Sequence, residues 1–376
     1  MTLHISNKIN SMQSFFEYNL PDPDFWLDYK ELWDNSLYRP VFQSPHYIQY
    51  LTGKYKDDVA IYKCVKDGRL VGAAFFRKDN GIYSFLSDVK NDHNFFVIHK
   101  QSTEEEIAAY FTNFLALIKK EKWSVRLKNQ PTWASYMDIF TKVGRTSNLY
   151  WESSKYAVCP VAEETSPEAL RELFNKSKNL RYKMKRMSKQ EKAVFEVLTD
   201  DEDLENWVEE FSNSHVKKWS TTPTPSAYRS PEKRRLLVDF LRVWIKDEAL
   251  VRFAINTKNG RIAFCIGLVQ ENSLVHHSHT YDPDHGRHSP GLALLAFISD
   301  WMETQGLNVL DFGYGNEPYK YIYATKELQL NKIFISHQLN LPFILKSKFE
   351  KNIRNNQGLI QFYREKIKPL TRGVEA

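Results

Sequence analysis

Two stretches of this chain are written in the same grammar. Residues 59–86 read VAIYKCV, KDG, RLVGAAFFR, KDNG and IYSFL, and residues 250–282 read LVRFAI, NTKNG, RIAFCIGLV, QENS and LVHHSHTYD. Apolar β-branched and aromatic runs separated by Asp-Gly or Asn-Gly turns predict antiparallel meanders. Lys66-Asp67-Gly68-Arg69-Leu70 lines up with Lys258-Asn259-Gly260-Arg261-Ile262, an offset of 192. Each meander is followed by a helical pattern and then a strand: Glu104 to Lys120 and Ser124 to Leu127 in the first copy, Pro290 to Gly306 and Asn308 to Phe312 in the second. A repeat this long implies two copies of one fold rather than a solenoid. The expected architecture is α/β (α+β), with two tandem domains, each a mixed, largely antiparallel sheet flanked by helices. At 376 residues the chain can bury two cores.

The copies differ where chemistry would sit. In the second, Arg287-His288-Ser289-Pro290-Gly291-Leu292 opens an apolar helix. The free N–H groups and dipole of a helix start beside a strand end attract an anion. In the first, residues 88–103 (DVKNDHNFFVIHKQST) hold no Pro-Gly and no glycine at a helix start. The first copy is therefore read as a degenerate, structural half. The expected divisions are residues 1–155, residues 156–345 with the site, and a basic tail over 346–376.

Between the meanders, Tyr150 to Ser166 reads as a bridge. Lys176 to Lys192 carries eight basic residues and one acidic, which is either a solvated helix face or a contact for an anion. A helix over Asp203 to Trp219 aligns Trp207, Phe211, His215 and Trp219 on one face. Ser220 to Pro231, with three prolines, is a loop and a possible lid. The tail interleaves lysine and arginine with Leu345, Phe349, Ile360 and Phe362. A basic amphipathic helix of this kind either lies on an anionic membrane surface or packs on the domain.

Net charge is +6, which permits an anionic partner without implying DNA. Cys64, Cys159 and Cys265 have no CxxC spacing, and with no signal pattern at the start this points to a reduced, cytoplasmic setting. No apolar run is long enough to span a bilayer, so any membrane contact is peripheral, at the inner face. His276, His277 and His279 share one strand. Strict alternation puts His277, His279 and Tyr281 on one face and His276, Ser278 and Thr280 on the other. No cysteine or carboxylate set accompanies them, so no metal is expected.

The segments Ser289-Pro290-Gly291, Asp311-Phe312-x-x-Gly315 and Tyr319-Lys320 resemble the signature of the CelD/BioF2-like acyltransferases. That family belongs to the Gcn5-related N-acetyltransferase (GNAT) superfamily and shares its tandem architecture with FemABX proteins. The sharpest resemblance lies between about Leu180 and Thr325. The usual phosphate loop, Q/R-x-x-G-x-G/A, is replaced here by Arg287 to Gly291.

The resemblance implies an N-acyltransferase that takes an acyl group from acyl-CoA or an acyl-carrier protein. The acceptor would be an amine, small or lipid-linked, on an envelope lipid, sugar or peptide precursor. Arg287 to Leu292 would hold the donor, and the strand Leu274 to Tyr281 would offer a backbone N–H to the thioester. His215, paired with Trp219 as in the family, and His279 are candidate bases. Asp311 would orient a base or bind the amine, Tyr319 would protonate the thiolate, and Lys320 would pair with phosphate or carboxylate. Two rivals stand beside this: a FemABX-like transferase that uses aminoacyl-tRNA, the one case with an RNA partner, and an inactive lipid- or glycan-binding member.

Overall fold

The turn Asp67-Gly68 has both residues in the left-handed region (φ 50° and 79°), so Lys66 faces Arg69 across a two-residue hairpin. From this turn the first half grows as five strands. Gln13–Glu17, Val59–Lys66, Arg69–Asp79 and Ile82–Phe85 are successively antiparallel, and Ser124–Pro131 returns parallel to Ile82–Phe85. The second half repeats that order and sense. Val194–Leu198, Leu250–Thr257, Gly260–Gln270 and Ser273–Tyr281 are antiparallel, and Val309–Asp311 returns parallel to Ser273–Tyr281. Helices Glu104–Glu121 and Pro290–Thr304 make the two crossovers. Even the irregularities repeat, with register breaks between Cys64 and Val65 and between Ile255 and Asn256.

The duplication expected from the sequence is therefore in the fold. Its offset at the turn is 191, not 192: Lys66–Arg69 is matched by Thr257–Gly260. Gly68 lies inside its turn, whereas Gly260 begins the next strand. Both opening strands, Gln13–Glu17 and Val194–Leu198, escaped the sequence reading.

The computed structural model describes residues 3–6, 12–88, 91–220, 222 and 225–355. The halves are not separate sheets. Lys326–Ser336 lies between Ser124–Pro131 and Tyr150–Glu163, and the latter also pairs with Val309–Asp311, so all the strands join one 14-stranded sheet. The segment expected as a bridge is thus a 14-residue strand, and the expected boundary at residue 155 falls inside it. The basic tail begins as a helix, Leu341–Asn355, on this central region. Ile360, Phe362 and the rest of the tail lie outside the described residues, as does Pro223 in the expected lid.

Alternation decides the layers. In the first half Ala60, Tyr62, Ala74 and Phe76 face Glu104–Glu121. In the second half Val251, Phe253, Ile255 and Cys265 face Pro290–Thr304. The opposite faces, Ile61, Ala73 and Phe75 with Ala254, Phe264 and Ile266, meet a shared layer of four helices: Pro23–Asp34, Pro45–Lys54, Leu204–Trp219 and Pro231–Lys246. Tyr47 stacks on Trp244 at 5.1 Å within that layer.

Ser44 and Pro45 start their helix as expected, but Ser44 makes no capping bond. The cap is the Asp247 carboxylate of the second half, which accepts from the His46 and Tyr47 N–H groups at 3.2 and 3.3 Å. One apolar layer serving both halves should make them unfold together. Trp244→Ala, at a side chain 2% exposed, is expected to cost about 3–5 kcal/mol in urea unfolding while leaving a single transition by both fluorescence and circular dichroism. Two separated transitions would contradict the shared layer.

Candidate functional site

The site begins where two strands part. Ser273–Tyr281 and Val309–Asp311 pair over three residues only, ending at Val275 opposite Asp311. Beyond that point the second chain turns away through Gly313-Tyr314-Gly315. Side-chain bonds from Asp311 and Lys320 hold the turn. Asp311 Oδ1 accepts from the Gly313 N–H at 2.8 Å, and Lys320 Nζ donates to the Gly313 and Tyr314 carbonyls at 3.1 Å each. Lys320 also meets Glu317 at 2.9 Å and is 4% exposed. Its ammonium is thus spent on the turn, which corrects the expectation that it reaches a donor phosphate or carboxylate.

A β-bulge overturns the expected histidine faces. Pairing steps from Ile266–Ser278 to Gly267–His276, so His277 is the extra residue. The His276 and His279 rings consequently lie 5.0 Å apart on one face, with Tyr319 4.9 Å from His279 and Phe312 5.9 Å from His276. His277 turns to the other face, against Phe42 and Trp244 at 5.5 and 5.4 Å. Burial holds His276 down at about 3, with the Lys320 charge adding to the effect. Burial also holds His279 well below its usual value, helped by His276 and Lys218. Both imidazoles are therefore neutral at ordinary pH. Burial raises the Tyr319 hydroxyl, which stays protonated.

The helix start Ser289-Pro290-Gly291 sits over this strand. Ser289 is left-handed (φ 52°), and its hydroxyl accepts from Lys183 Nζ at 2.9 Å. A Cβ on Gly291 would lie 3.2 Å from the Tyr281 ring and 3.5 Å from His279 Nε2, so a glycine there lets helix and strand close together. The basic run expected either as a solvated face or as an anion contact forms the helix Lys178–Glu191, from which Lys183 reaches the helix start. Arg287 and His288 do not join the cradle as expected. Arg287 pairs with Glu191 and donates to His288 Nε2 at 3.0 Å, and His288 is 1% exposed.

In the first half the matching helix end is filled. Thr103 and Glu106 form a capping box, with Glu104 and Glu105 in the same turn.

The last turn of Leu204–Trp219 closes the other side. His215 stacks on Trp219 at 5.6 Å and its Nδ1 lies 2.9 Å from Ser226 Oγ. Lys217 bonds Asp282 and Asp284 at 2.7 and 2.6 Å, tying this helix to the loop before Ser289. Lys218, unremarked in the sequence, lies 4.1 Å above the Tyr281 ring, and burial pushes its pKa down to about 8.

The first half also reaches in, so it is not merely structural. Two His–Asp pairs cross the seam. His93 Nε2 lies 2.9 Å from Asp311 Oδ2, and Asp92 Oδ2 lies 3.1 Å from His277 Nδ1. Asp92 Oδ1 also accepts from the Tyr314 N–H at 2.9 Å. Asp311, with both oxygens engaged and 7% exposed, orients His93 and the turn rather than offering itself to an amine.

The ligand atoms of His93, Cys159 and Asp311 lie within 4.8 Å of one another, a set that could hold a metal. Burial keeps the Cys159 thiol well above its usual range, however, and the Lys320 charge nearby opposes a cation. The sequence signal for the pairs was the polar run Asn91-Asp92-His93-Asn94 between apolar stretches.

For His93, burial works to lower the pKa, but the hydrogen bond and charge of Asp311, with Asp92, leave it raised. A raised histidine contributes stability below its unfolded value, about 6.5, and loses that contribution as pH rises through the folded value. His93→Gln should therefore lower stability most in acid, with the difference from wild type shrinking at alkaline pH. A difference independent of pH would show that His93 is uncharged in the fold.

Part of the chain matches a known domain. The acetyltransferase (GNAT) domain matches residues 175–321. No protein of curated function matches the sequence. Among solved structures, FemX aligns at 9% identity over 84% of this chain and 96% of its own, with a TM-score of 0.58. L-PGS from Bacillus licheniformis aligns at 11% identity over 90% and 98%, with a TM-score of 0.54. A C-terminal domain assigned to a lysylphosphatidylglycerol synthetase of Agrobacterium fabrum aligns at 10% identity over 75% and 85%, with a TM-score of 0.51. At these identities the likeness is one of fold. Residues 175–321 thus form a GNAT acetyltransferase domain, set within a duplicated fold similar to that of FemX.

Proposed function

We propose that this chain transfers an acyl group from a thioester, acyl-CoA or acyl-carrier protein, to an amine. The parting of Ser273–Tyr281 from Val309–Asp311 beneath the Pro290 helix start carries this reading. A pantetheine arm is a long, narrow chain that needs such a gap, with unpaired strand N–H groups facing its carbonyls. The Gly291 N–H and the Lys183–Ser289 pair suit a phosphate at the helix end.

The attacking amine must lose a proton, and neutral His279, beside Tyr319, is placed to take it. Tyr319, protonated and beside His279, can give a proton to the departing thiolate. His215 is oriented by Ser226 and Trp219 and is the alternative base. The acceptor we favour is an amine on an envelope lipid, sugar or peptide precursor. The FemX likeness supports a second reading, aminoacyl transfer.

Release of CoA thiol, measured with a panel of amine acceptors, tests the roles. Tyr319→Phe should lower turnover by at least about tenfold while calorimetric donor affinity stays near wild type, because the hydroxyl acts mainly in the transition state. His279→Gln should do the same. With His279 so depressed, wild-type kcat/KM should show no acidic limb near 6.5; a limb there would point to a different base.

Gly291→Asp should instead weaken donor binding, since its side chain would meet the Tyr281 ring and His279 and push the helix start off the strand. Turnover within about threefold of wild type for both Tyr319→Phe and His279→Gln would leave positioning as the only catalysis. RNA that copurifies and is released by high salt, with no thioester turnover, would favour the second reading.

A further inference from the structure

Helix Leu341–Asn355 carries three large apolar residues on its outer side. Leu341, Leu345 and Phe349 are 62%, 66% and 65% exposed, and Leu339, just before the helix, is 81% exposed. Spaced four apart, the three helical residues form one continuous row. Isolated exposed apolar side chains are ordinary on a protein surface, but a row of large ones is not.

The inward side is already satisfied. Phe343 packs on Phe334 at 5.9 Å, buried Ser347 meets Tyr150 at 2.6 Å, and Glu350 accepts from Lys332 at 2.7 Å. The row is therefore not a core face left undocked.

Charge says what covers it. Lys346 and Lys348 are exposed and flank the row on its two sides, by helical geometry. Glu350, the one acidic residue of the helix, is turned inward onto Lys332 and Arg126. The exposed face is thus apolar with cationic flanks and carries no acid. Beyond the helix, residues 356–376 add Arg364, Lys366, Lys368 and Arg372 against Glu365 and Glu375. No described helix is long and apolar enough to cross a membrane, so a helix of this make would lie in the interface.

We propose that the outer face of Leu341–Asn355 docks on an anionic lipid surface. Leu341, Leu345 and Phe349 enter the headgroup boundary, and Lys346 and Lys348 meet lipid phosphates. The helix is linked to the candidate site through Lys332, whose ammonium lies 4.8 Å from the Tyr156 ring, which in turn stacks on Tyr314 at 6.2 Å. Docking does not depend on the acyl-transfer reading and is measured without donor or acceptor.

The test is co-sedimentation of the full chain with phosphatidylcholine vesicles, with and without about one quarter phosphatidylglycerol. Binding to the anionic vesicles is expected, falling at least about tenfold in about 1 M salt and in each of two variants. These are Leu345→Ser with Phe349→Ser, and Lys346→Glu with Lys348→Glu. Both pairs lie outside the candidate site, and circular dichroism checks that they fold.

Equal binding to neutral vesicles, or none to either, would overturn the proposal. So would a concentration-dependent dimer abolished by Leu345→Ser with Phe349→Ser, which would assign the row to a second copy. Vesicle binding that emerges only after removal of residues 356–376 would also overturn it, because the chain's own end would then be the occupant.

Discussion

The crossed His–Asp pairs at the seam hold the rest of the site in place. Asp311 ends the short strand, accepts from the Gly313 N–H that begins the turn, and meets His93 from the other half. Asp92 answers by meeting His277 on the neighbouring strand and the Tyr314 N–H of the turn. A Cβ at Gly313 would lie 2.7 Å from Asp92, and Gly313 is left-handed (φ 68°), so the close approach and the backbone conformation both require glycine. The two strands part at this point because one is bulged and the other is pulled into a turn that three charged side chains secure. Burial makes the arrangement stiff. A hydrogen bond lost among groups this enclosed leaves its partner unsatisfied, which is costly.

The two halves divide the work by small changes at equivalent places. Both have the strand order, the parallel return and the crossover helix. In the first, the helix end is closed by its own Thr103 and three glutamates. In the second, the helix end has no acid in its first turn and no side-chain cap, and Lys183 stands beside it. The first loop carries Asp92 and His93 across the seam. The duplication thus yields one candidate site with residues from both copies.

Much of this was legible in the chain. The Asp67-Gly68 turn, the meanders, the helix start at Pro290 and the helix Leu204–Trp219 all rest on local rules, and local rules survive folding. What the sequence hid is non-local. The bulge at His277 shifts alternation by one residue, and only the partner strand Gly260–Gln270 shows where. Lys320 reads as a free cation because the carbonyls that consume it belong to a turn whose path depends on Gly313. Asp92 and His93 sit 185 and 218 residues from their partners. Gln13–Glu17 and Val194–Leu198 are short edge-side strands whose pairing comes from the meander beside them.

The central claim is that the gap between Ser273–Tyr281 and the Asp311 turn receives the acyl donor. A crystal structure with a non-hydrolysable acyl-CoA analogue tests it most directly. The account predicts the thioester end of the arm against His279 and Tyr319, with phosphate at Gly291 and Lys183. Density in the equivalent gap of the first half, beside Thr103, with none at Gly291, would contradict it.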